Sequence, residues 1–317
     1  MSKSVKAASD APILITMGEP SGIGPEVALG AFAALGGKVG SHPLKLVGDA
    51  RIFASHPSAL IATRATASTS PGKLDSANAA AVIEAIEIAV RACLSGEAAA
   101  MVTAPIHKSG LATAGFRFPG HTEFLGHLTQ SPRAVMMLAS DKLRVVPLTV
   151  HMALARVPAA ITPESIIETA EIVLAALAND FGIARPRLAV AGLNPHAGED
   201  GLLGGEEEAL IGPAIAALRG LGHAVEGPLS ADTLFHDEAR KHYDAALTMY
   251  HDQGLIPIKT LSFWDGVNVT LGLPIVRTSP DHGTALDIAG TGKADIRSMV
   301  AAIKMAAQMA DARAKSA

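Results

Sequence analysis

Short, mostly aliphatic runs that alternate with alanine-rich stretches are the feature that most constrains the fold of this chain. The runs lie at residues 13–17, 44–47, 98–102, 188–191 and 245–249. Each is bounded by turn-forming or polar residues, as is typical of a buried strand. Between them, stretches such as 74–93 space their apolar residues with a helical period. Strands that alternate with helices predict an α/β protein with a doubly wound sheet.

The composition indicates how the core of such a protein is built. Hydrophobic residues make up 49% of the 317 residues, but aromatic residues make up only 3%. The core must therefore consist of Ala, Val, Ile and Leu, which suits buried strands covered by alanine-rich helices. A further pair of runs, 134–138 and 143–150, has the pattern of a hairpin, so we expect a mixed sheet. The length allows one large or two medium domains.

Charge, hydropathy and cysteine content exclude several classes of protein. The net charge is −4, with no basic block and few aromatic residues, so we expect no nucleic-acid partner. The apolar runs are shorter than a membrane span, so we expect no membrane partner. The single cysteine, Cys93, excludes an internal disulfide and a multi-cysteine zinc site. With no signal peptide recognised, these features predict a cytoplasmic protein.

For two of the predicted helices, the sequence predicts a specific local feature. The helix at 162–177 begins with Thr162 as its N-cap. Ser165 stands where a capping box has Glu or Gln, so we predict that the reciprocal bond is absent. The helix at 206–218 contains Pro213 after a glycine, which is predicted to kink it.

Three histidines follow three predicted strands. His151 comes after 143–150, His196 after 188–191 and His251 after 245–249. In open α/β sheets the loops beyond the carboxyl ends of strands converge on ligands. Three imidazoles there would form a metal site with an open position. The alternative, that each is an ordinary loop residue, stays open on position alone.

Acidic residues near the three histidines, and the remaining histidines, have predicted roles as well. Asp252, Glu199 and Asp244 are candidates for hydrogen bonding to the ligating imidazoles. Six further histidines in helical or helix-flanking contexts, among them His42, are expected to be solvated.

A second constellation suits an anion. Lys259, Asn268 and Arg277 recur at a spacing of nine along a stretch dense in polar residues, 250–287. A lysine and an arginine in one cleft would bind a phosphate or carboxylate, although a solvated strand edge is the alternative. His121 and Thr122 add an imidazole and a hydroxyl close to a predicted helix N-terminus, where anions are favoured.

Nucleotide binding has no fingerprint in this sequence, which contains neither GxGxxG nor a Walker motif. The glycine-rich stretch 18–25 resembles a phosphate cradle only in its glycine content and could be a tight turn. Two small-residue loops could hold a dinucleotide through backbone contacts, and they contain Asp281, His282, Gly283, Thr284 and Gly290.

Seven motifs together resemble the 4-hydroxythreonine-4-phosphate dehydrogenases of vitamin B6 biosynthesis. They are MGEPSGIGPE (17–26), VTAPIHK (102–108), PGHTE (119–123), NPHAGE (194–199), MYHDQG (249–254), GVNVTLGLP (266–274) and RTSPDHGTA (277–285). They span nearly the whole chain in the order of that family. One departure is Ser21, where the family commonly has alanine.

The resemblance implies an architecture. It is a fold like that of isocitrate and isopropylmalate dehydrogenases, with two subdomains that flank a central cleft. We expect residues 1–135 and 272–317 to form the nucleotide side, and 136–271 to carry metal binding, substrate binding and dimerisation. A homodimer with each active site at the subunit interface is expected.

The resemblance also implies a chemistry. With one divalent metal, Zn²⁺, Mg²⁺ or Co²⁺, as Lewis acid, NAD(P)⁺ is expected to oxidise the 3-hydroxyl of a small phosphorylated amino acid, 4-phosphohydroxy-L-threonine. The resulting β-keto acid decarboxylates to 3-amino-2-oxopropyl phosphate. The implied metal ligands are His151, His196 and His251. The implied substrate contacts are His121, Thr122, Lys259, Asn268 and Arg277. Lys259 and Asp252 are the candidate bases.

Three other functions remain open at this point. The first is a catabolic dehydrogenase of the wider family that acts on 4-phospho-D-threonate or 4-phospho-D-erythronate. The second is a three-histidine metal hydrolase or aldolase without nucleotide, which the missing dinucleotide fingerprint favours. The third is a non-catalytic phosphate-binding protein.

Overall fold

A computed structural model describes residues 7–118 and 120–316. Its strands are β1 (Ile13–Thr16), β2 (Lys38–Val39), β3 (His42–Gly48), β4 (Leu60–Ala62), β5 (Ala100–Thr103), β6 (Val135–Ala139), β7 (Arg144–Thr149), β8 (Arg187–Ala191), β9 (Ala224–Leu229), β10 (Ala245–Tyr250), β11 (Val267–Leu271) and β12 (Arg277–Pro280). Its helices are α1 (Gly24–Ala34), α2 (Ala79–Ser95), α3 (Lys108–Thr113), α4 (His121–Leu128), α5 (Val157–Ala160), α6 (Pro163–Asn179), α7 (Gly212–Gly220), α8 (Ala231–Leu234), α9 (His251–Leu261) and α10 (Arg297–Ser316).

The chain forms two compact units. Unit 1 comprises Met1–Ala134 and Trp264–Ala317, and unit 2 comprises Val135–Phe263. The predicted second boundary, after residue 271, differs from the observed one. The reason is that β11 pairs antiparallel with β12, which places β11 in unit 1. The functional roles assigned to the two units stay predictions.

Unit 1 is built on strands in the order β2-β3-β1-β5-β12-β11, with β4 also paired to β3. The pairs β1–β3, β1–β5 and β5–β12 are parallel, whereas β2–β3 and β11–β12 are antiparallel. Leu14 and Met101 pack with Ile86 of α2 on one face. Thr278 faces the other way, because its hydroxyl donates to the Ala302 carbonyl of α10 at 2.8 Å. Helices therefore cover both faces of these strands.

Unit 2 has the strand order β6-β7-β10-β8-β9. The predicted hairpin is present as the antiparallel pair β6–β7, and the other pairs are parallel. Val145 and Ala246, neighbours in register, pack against Leu255 and Ile258 of α9. The α/β prediction with a mixed sheet is confirmed. Among the helices described, none combines the length and apolar character needed to cross a membrane.

The prediction about the start of the helix at 162–177 is wrong. The Ser165 hydroxyl accepts from the Thr162 backbone N–H at 3.1 Å while Thr162 Oγ1 accepts from the Ser165 N–H at 3.1 Å, so the serine closes a capping box. In the predicted helix at 206–218, a π-helical turn at Glu207–Ile211 leads into α7. Pro213, the second residue of α7, directly follows this turn, so the helix is irregular beside the proline.

His42 is also not solvated as predicted, because it is buried at the start of β3. Its Nδ1 lies 2.7 Å from the Ala11 carbonyl oxygen, and its Nε2 lies 3.2 Å from a carboxylate oxygen of Asp311 on α10. The histidine therefore ties the last helix to the edge of the sheet of unit 1.

Candidate active site

A buried arginine lies at the centre of a cluster of polar side chains in unit 1. Arg277, at the start of β12, is 3% exposed. Its Nε and Nη2 donate to Thr103 Oγ1 at 3.1 and 2.6 Å, and its Nη1 donates to Thr270 Oγ1 at 2.8 Å. A longer contact of 3.4 Å joins Nη1 to Asn268 Oδ1. Burial lowers the pKa of Arg277 to about 9. A buried cation whose partners are all neutral is suited to an anionic ligand.

The strand pairing explains why these side chains meet. Val269 lies opposite Thr278 in the β11–β12 hairpin, so Thr270 lies opposite Arg277. Because side chains alternate between faces, Asn268 and Thr270 point to the same face as the arginine. The spacing of nine between Asn268 and Arg277 therefore arises from a hairpin.

His121 lies near this arginine at the first residue of α4. Its Nε2 is buried without a hydrogen-bond partner. Burial, and then the positive charges of Arg277 and Lys108, hold the pKa of His121 well below its usual value. The imidazole is therefore neutral near pH 7. A Cβ on Gly120 would lie 3.4 Å from Lys108 Cε, so this lysine passes close to the N-terminus of α4. Thr122 is half-buried in the same turn.

Two of the predicted metal ligands come together in unit 2. His151 follows β7 and His251 begins α9 directly after β10, and these two strands are parallel neighbours. Their ring centroids are 5.9 Å apart. His251 Nδ1 lies 2.6 Å from Asp252 Oδ1. A carboxylate on one ring nitrogen, which leaves the other for a metal, is the usual arrangement around ligating histidines.

The third histidine lies in a loop with left-handed backbone. His196 has φ +52° and Glu199 has φ +44°, a conformation that costs free energy for residues other than glycine. Buried Glu207 holds the start of this loop, because its Oε1 accepts from the Leu193 and Asn194 backbone N–H groups at 2.7 Å each. Burial alone would raise the pKa of Glu207, but the hydrogen bonds from Asn194 and Leu193 outweigh it and lower that pKa.

Among the described residues, the three histidines are not gathered into one group within a single chain. Within residues 7–118 and 120–316, no group of three or more His, Cys, Asp or Glu side chains is placed to hold a metal ion. The imidazole donors of His151 and His251 fit a borderline divalent ion, but one copy supplies an incomplete set. Asp244 does not serve the histidines, since it lies before the amino end of β10 and binds Arg187 at 2.8 to 3.3 Å.

Lys259 and Asp252 both lie on α9 of unit 2. Lys259 is half-buried in the last turn, and Asp252 is exposed in the first turn beside His251. Their assignment as substrate contact or base stays a prediction.

The loops expected to hold a nucleotide pack closely on the glycine-rich stretch in unit 1. The Thr284 carbonyl accepts from the Ile23 N–H at 2.9 Å, and a Cβ on Gly22 would lie 2.6 Å from that oxygen. Gly290 has φ +73° and lies so close to Pro71 that a Cβ would meet it at 2.8 Å. The glycines therefore serve close backbone packing, which favours the tight-turn reading of residues 18–25.

The remaining predicted nucleotide contacts lie at the start of the same loop. The Asp281 N–H donates to Ser298 Oγ at 3.1 Å. His282 Nδ1 lies 3.0 Å from the Gly283 carbonyl oxygen, and its Nε2 is buried without a hydrogen-bond partner.

The sequence reasoning missed three residues that make hydrogen bonds in or beside these sites: Thr103, Thr270 and Gln253. Each lies inside a motif quoted above. The available signal was a polar residue within, or shortly after, an apolar run. That signal does not say which neighbour the side chain will reach.

The fold and these buried polar groups define an α/β protein with a buried arginine whose surroundings suit a small anionic ligand. The family model described as "Pyridoxal phosphate biosynthetic protein PdxA" matches residues 38–306. The chain is 53% identical to a 4-hydroxythreonine-4-phosphate dehydrogenase of Roseobacter denitrificans, covering 95% of this chain and 97% of that protein. It is 50% identical to the protein of that name from Paracoccus denitrificans, covering 95% and 98%.

A solved structure agrees with these relatives. The crystal structure of 4-hydroxythreonine-4-phosphate dehydrogenase from Klebsiella pneumoniae superposes with a TM-score of 0.84 at 38% identity, covering 95% of this chain and 99% of that one. The chain belongs to the PdxA family, and the resemblance found in its motifs is confirmed.

Proposed function

We propose that this protein is a 4-hydroxythreonine-4-phosphate dehydrogenase of pyridoxal phosphate biosynthesis. It oxidises the 3-hydroxyl of 4-phosphohydroxy-L-threonine with NAD(P)⁺, and the β-keto acid decarboxylates to 3-amino-2-oxopropyl phosphate. The observation that carries the proposal is buried Arg277, which hydrogen-bonds to the neutral side chains of Thr103 and Thr270 and lies near His121, whose Nε2 is buried without a hydrogen-bond partner. The names of the relatives supply the substrate.

The phosphate of the substrate binds Arg277 and His121. A guanidinium carries five N–H donors, and bonds of 3.1 Å or less occupy three of them. The remaining N–H donors bind the ligand. One of them, on Nη1, otherwise makes only the 3.4 Å contact to Asn268 Oδ1. Arginine and phosphate pair through two parallel bonds, which fixes the orientation of the substrate. Thr122 and Lys259 complete the set of substrate contacts.

A homodimer completes the metal site. His151 and His251 form a pair in one copy, and His196 comes from the second copy. This proposal is supported by the lack of a three-ligand group among the described side chains. It is also supported by large exposed apolar side chains close in sequence to the histidines: Met152, Leu154, Leu202, Leu203 and Ile256. Exposed apolar groups of this size mark association surfaces.

A divalent ion held by these histidines would supply Lewis-acid chemistry to the 3-hydroxyl and to the ketone oxygen formed from it. Imidazole donors suit Zn²⁺ or Co²⁺ better than Mg²⁺. Asp252 orients His251 through its 2.6 Å contact. Because that contact occupies Asp252, Lys259 is the favoured base for the hydroxyl proton. The nicotinamide cofactor binds the loops of unit 1 that contain Asp281, His282, Gly283, Thr284 and Gly290, and we place the enzyme in the cytoplasm.

Steady-state reduction of NAD⁺ and NADP⁺ by the metal-loaded protein tests this function. We expect 4-phosphohydroxy-L-threonine to give a higher kcat/KM than 4-phospho-D-threonate or 4-phospho-D-erythronate. A preference for either of the last two would assign the catabolic function. If none of the three reduced the cofactor, the nucleotide-free hydrolase or aldolase would replace this proposal.

A further inference from the structure

A buried amide joins two of the strand ends that carry histidines. Gln253, 9% exposed, lies in the first turn of α9. Its Oε1 accepts from the Met249 backbone N–H at 2.7 Å, and its Nε2 donates to the Gly192 carbonyl at 2.7 Å. Met249 lies in β10, two residues before His251, and Gly192 leads into the loop that contains His196.

The orientation of this amide follows from its partners. A backbone N–H can only donate and a backbone carbonyl can only accept, so the oxygen must face Met249 and the nitrogen must face Gly192. Both ends of the side chain are therefore used, and no shorter side chain could reach both strands.

Gln253 takes over where the backbone pairing stops. The last residues paired between β10 and β8 are Leu247 and Val190. In the same register, Met249 would lie opposite Gly192, and the glutamine side chain bridges these two positions. Hydrogen bonds of the Gln253 side chain thus replace backbone pairing at the ends of β8 and β10, just before the segments that contain His196 and His251.

The bridge extends to the third strand end. Thr149 Oγ1, at the end of β7, donates to the Met249 carbonyl at 2.8 Å. Thr149 precedes His151 by two residues, as Met249 precedes His251. Three buried hydrogen bonds therefore link the ends of β7, β10 and β8, each of which leads to one histidine.

We propose that Gln253 is a positioning residue for the histidine site. Its amide fixes the end of β10 relative to the loop of His196, and so sets where each copy presents its ligands. Residues that hold metal ligands in place without touching the ion change metal affinity by roughly 10- to 100-fold when substituted. The inference rests on the proposed metal function.

Titration of the metal-free full-length protein with Co²⁺, followed by visible absorption, tests this proposal. Gln253→Met keeps the length but loses both hydrogen bonds, and Gln253→Glu keeps the acceptor for Met249 but loses the donor to Gly192. We expect Co²⁺ affinity to fall roughly tenfold or more in each variant, with an altered spectrum. Should Gln253→Met fail to fold, the milder Gln253→Glu decides.

The matched control is Tyr243→Phe, which removes the buried bond from the Tyr243 hydroxyl to the Leu234 carbonyl, 3.0 Å long, near the opposite end of β10. It should change thermal stability but not Co²⁺ affinity. If His251→Ala lost Co²⁺ binding while both Gln253 variants bound Co²⁺ as tightly as the wild-type protein, the positioning role would be wrong. The proposed metal function would still stand. If the wild-type protein and His251→Ala bound Co²⁺ equally, the proposed metal function would fail, and this inference with it.

Discussion

Thr103 is the residue on which the geometry of Arg277 most depends, because its single hydroxyl oxygen accepts from two guanidinium nitrogens. Thr103→Val keeps the shape but leaves both donors without that partner. We expect a loss of about 1–3 kcal/mol in the free energy of unfolding and a raised KM for the phosphorylated substrate. Urea unfolding and steady-state kinetics measure the two effects.

Thr278→Val is the matched control for that substitution. It removes a buried hydrogen bond of similar length on the other face of β12, to the Ala302 carbonyl. It should cost stability without raising KM. Equal changes in KM for the two variants would show that Thr103 acts only through stability.

His121 makes a prediction about pH. Its folded-state pKa is held well below that of the unfolded chain by burial and by Arg277 and Lys108. The unfolded state therefore binds the proton more readily, and stability falls as pH drops below about 6.5, the usual histidine pKa. The slope contributed by one such proton is about 1.4 kcal/mol per pH unit.

Replacing His121 with glutamine should remove that contribution. Urea unfolding at several pH values below about 6.5 should give a shallower decline for His121→Gln than for the wild-type protein. His127→Gln, an exposed position on the same helix, should keep the wild-type decline. A decline unchanged in His121→Gln would mean that the imidazole is protonated in the folded protein.

At the scale of elements, the aliphatic runs predicted most of the strands because burial requires them. The runs 13–17, 98–102 and 245–249 correspond to β1, β5 and β10. The capping box at Thr162 and the π-helical turn at Glu207–Ile211 were not predictable. The first depends on how far one hydroxyl reaches, and the second on a shift of backbone hydrogen bonds that a helical sequence pattern does not specify.

Glu207 carries a prediction at this scale, because it joins the π-helical turn to the His196 loop. Glu207→Gln replaces a carboxylate that accepts from Leu193 and Asn194. Hydrogen bonds to charged groups contribute about 1.5–3 kcal/mol each, so we expect a loss of roughly that size in urea unfolding at neutral pH. Glu208→Gln, the exposed neighbour, should be neutral. A Glu207 variant as stable as wild type would contradict the role of the carboxylate.

For the molecule as a whole, the sequence predicted some of the contacts between candidate site residues and missed others. Asn268 and Arg277 do meet, because a hairpin between adjacent strands is a local event. His151 and His251 also meet, on neighbouring strands. His196 does not join them in the described chain. The position of a histidine at a strand end does not show whether it binds a metal together with histidines of its own subunit or with those of a second subunit.

That distinction can be tested by mixing subunits. If His196 of one copy completes the site of its partner, a dimer of one His196→Ala and one His251→Ala subunit contains one intact site and one doubly altered site. Each variant alone should lack metal-dependent activity. Random pairing makes half of the dimers mixed, so the mixture should regain roughly a quarter of wild-type activity.

The two possible arrangements of the metal ligands predict different activities for the mixture of subunits. If all ligands came from one copy, every site in the mixture would lack one histidine, and no activity would return at any mixing ratio. Mixing His251→Ala with His151→Ala is the control. Both positions belong to the same pair, so their mixed dimers should stay inactive. Recovered activity in this control would mean that the pair itself is divided between copies, although its rings lie 5.9 Å apart within one chain.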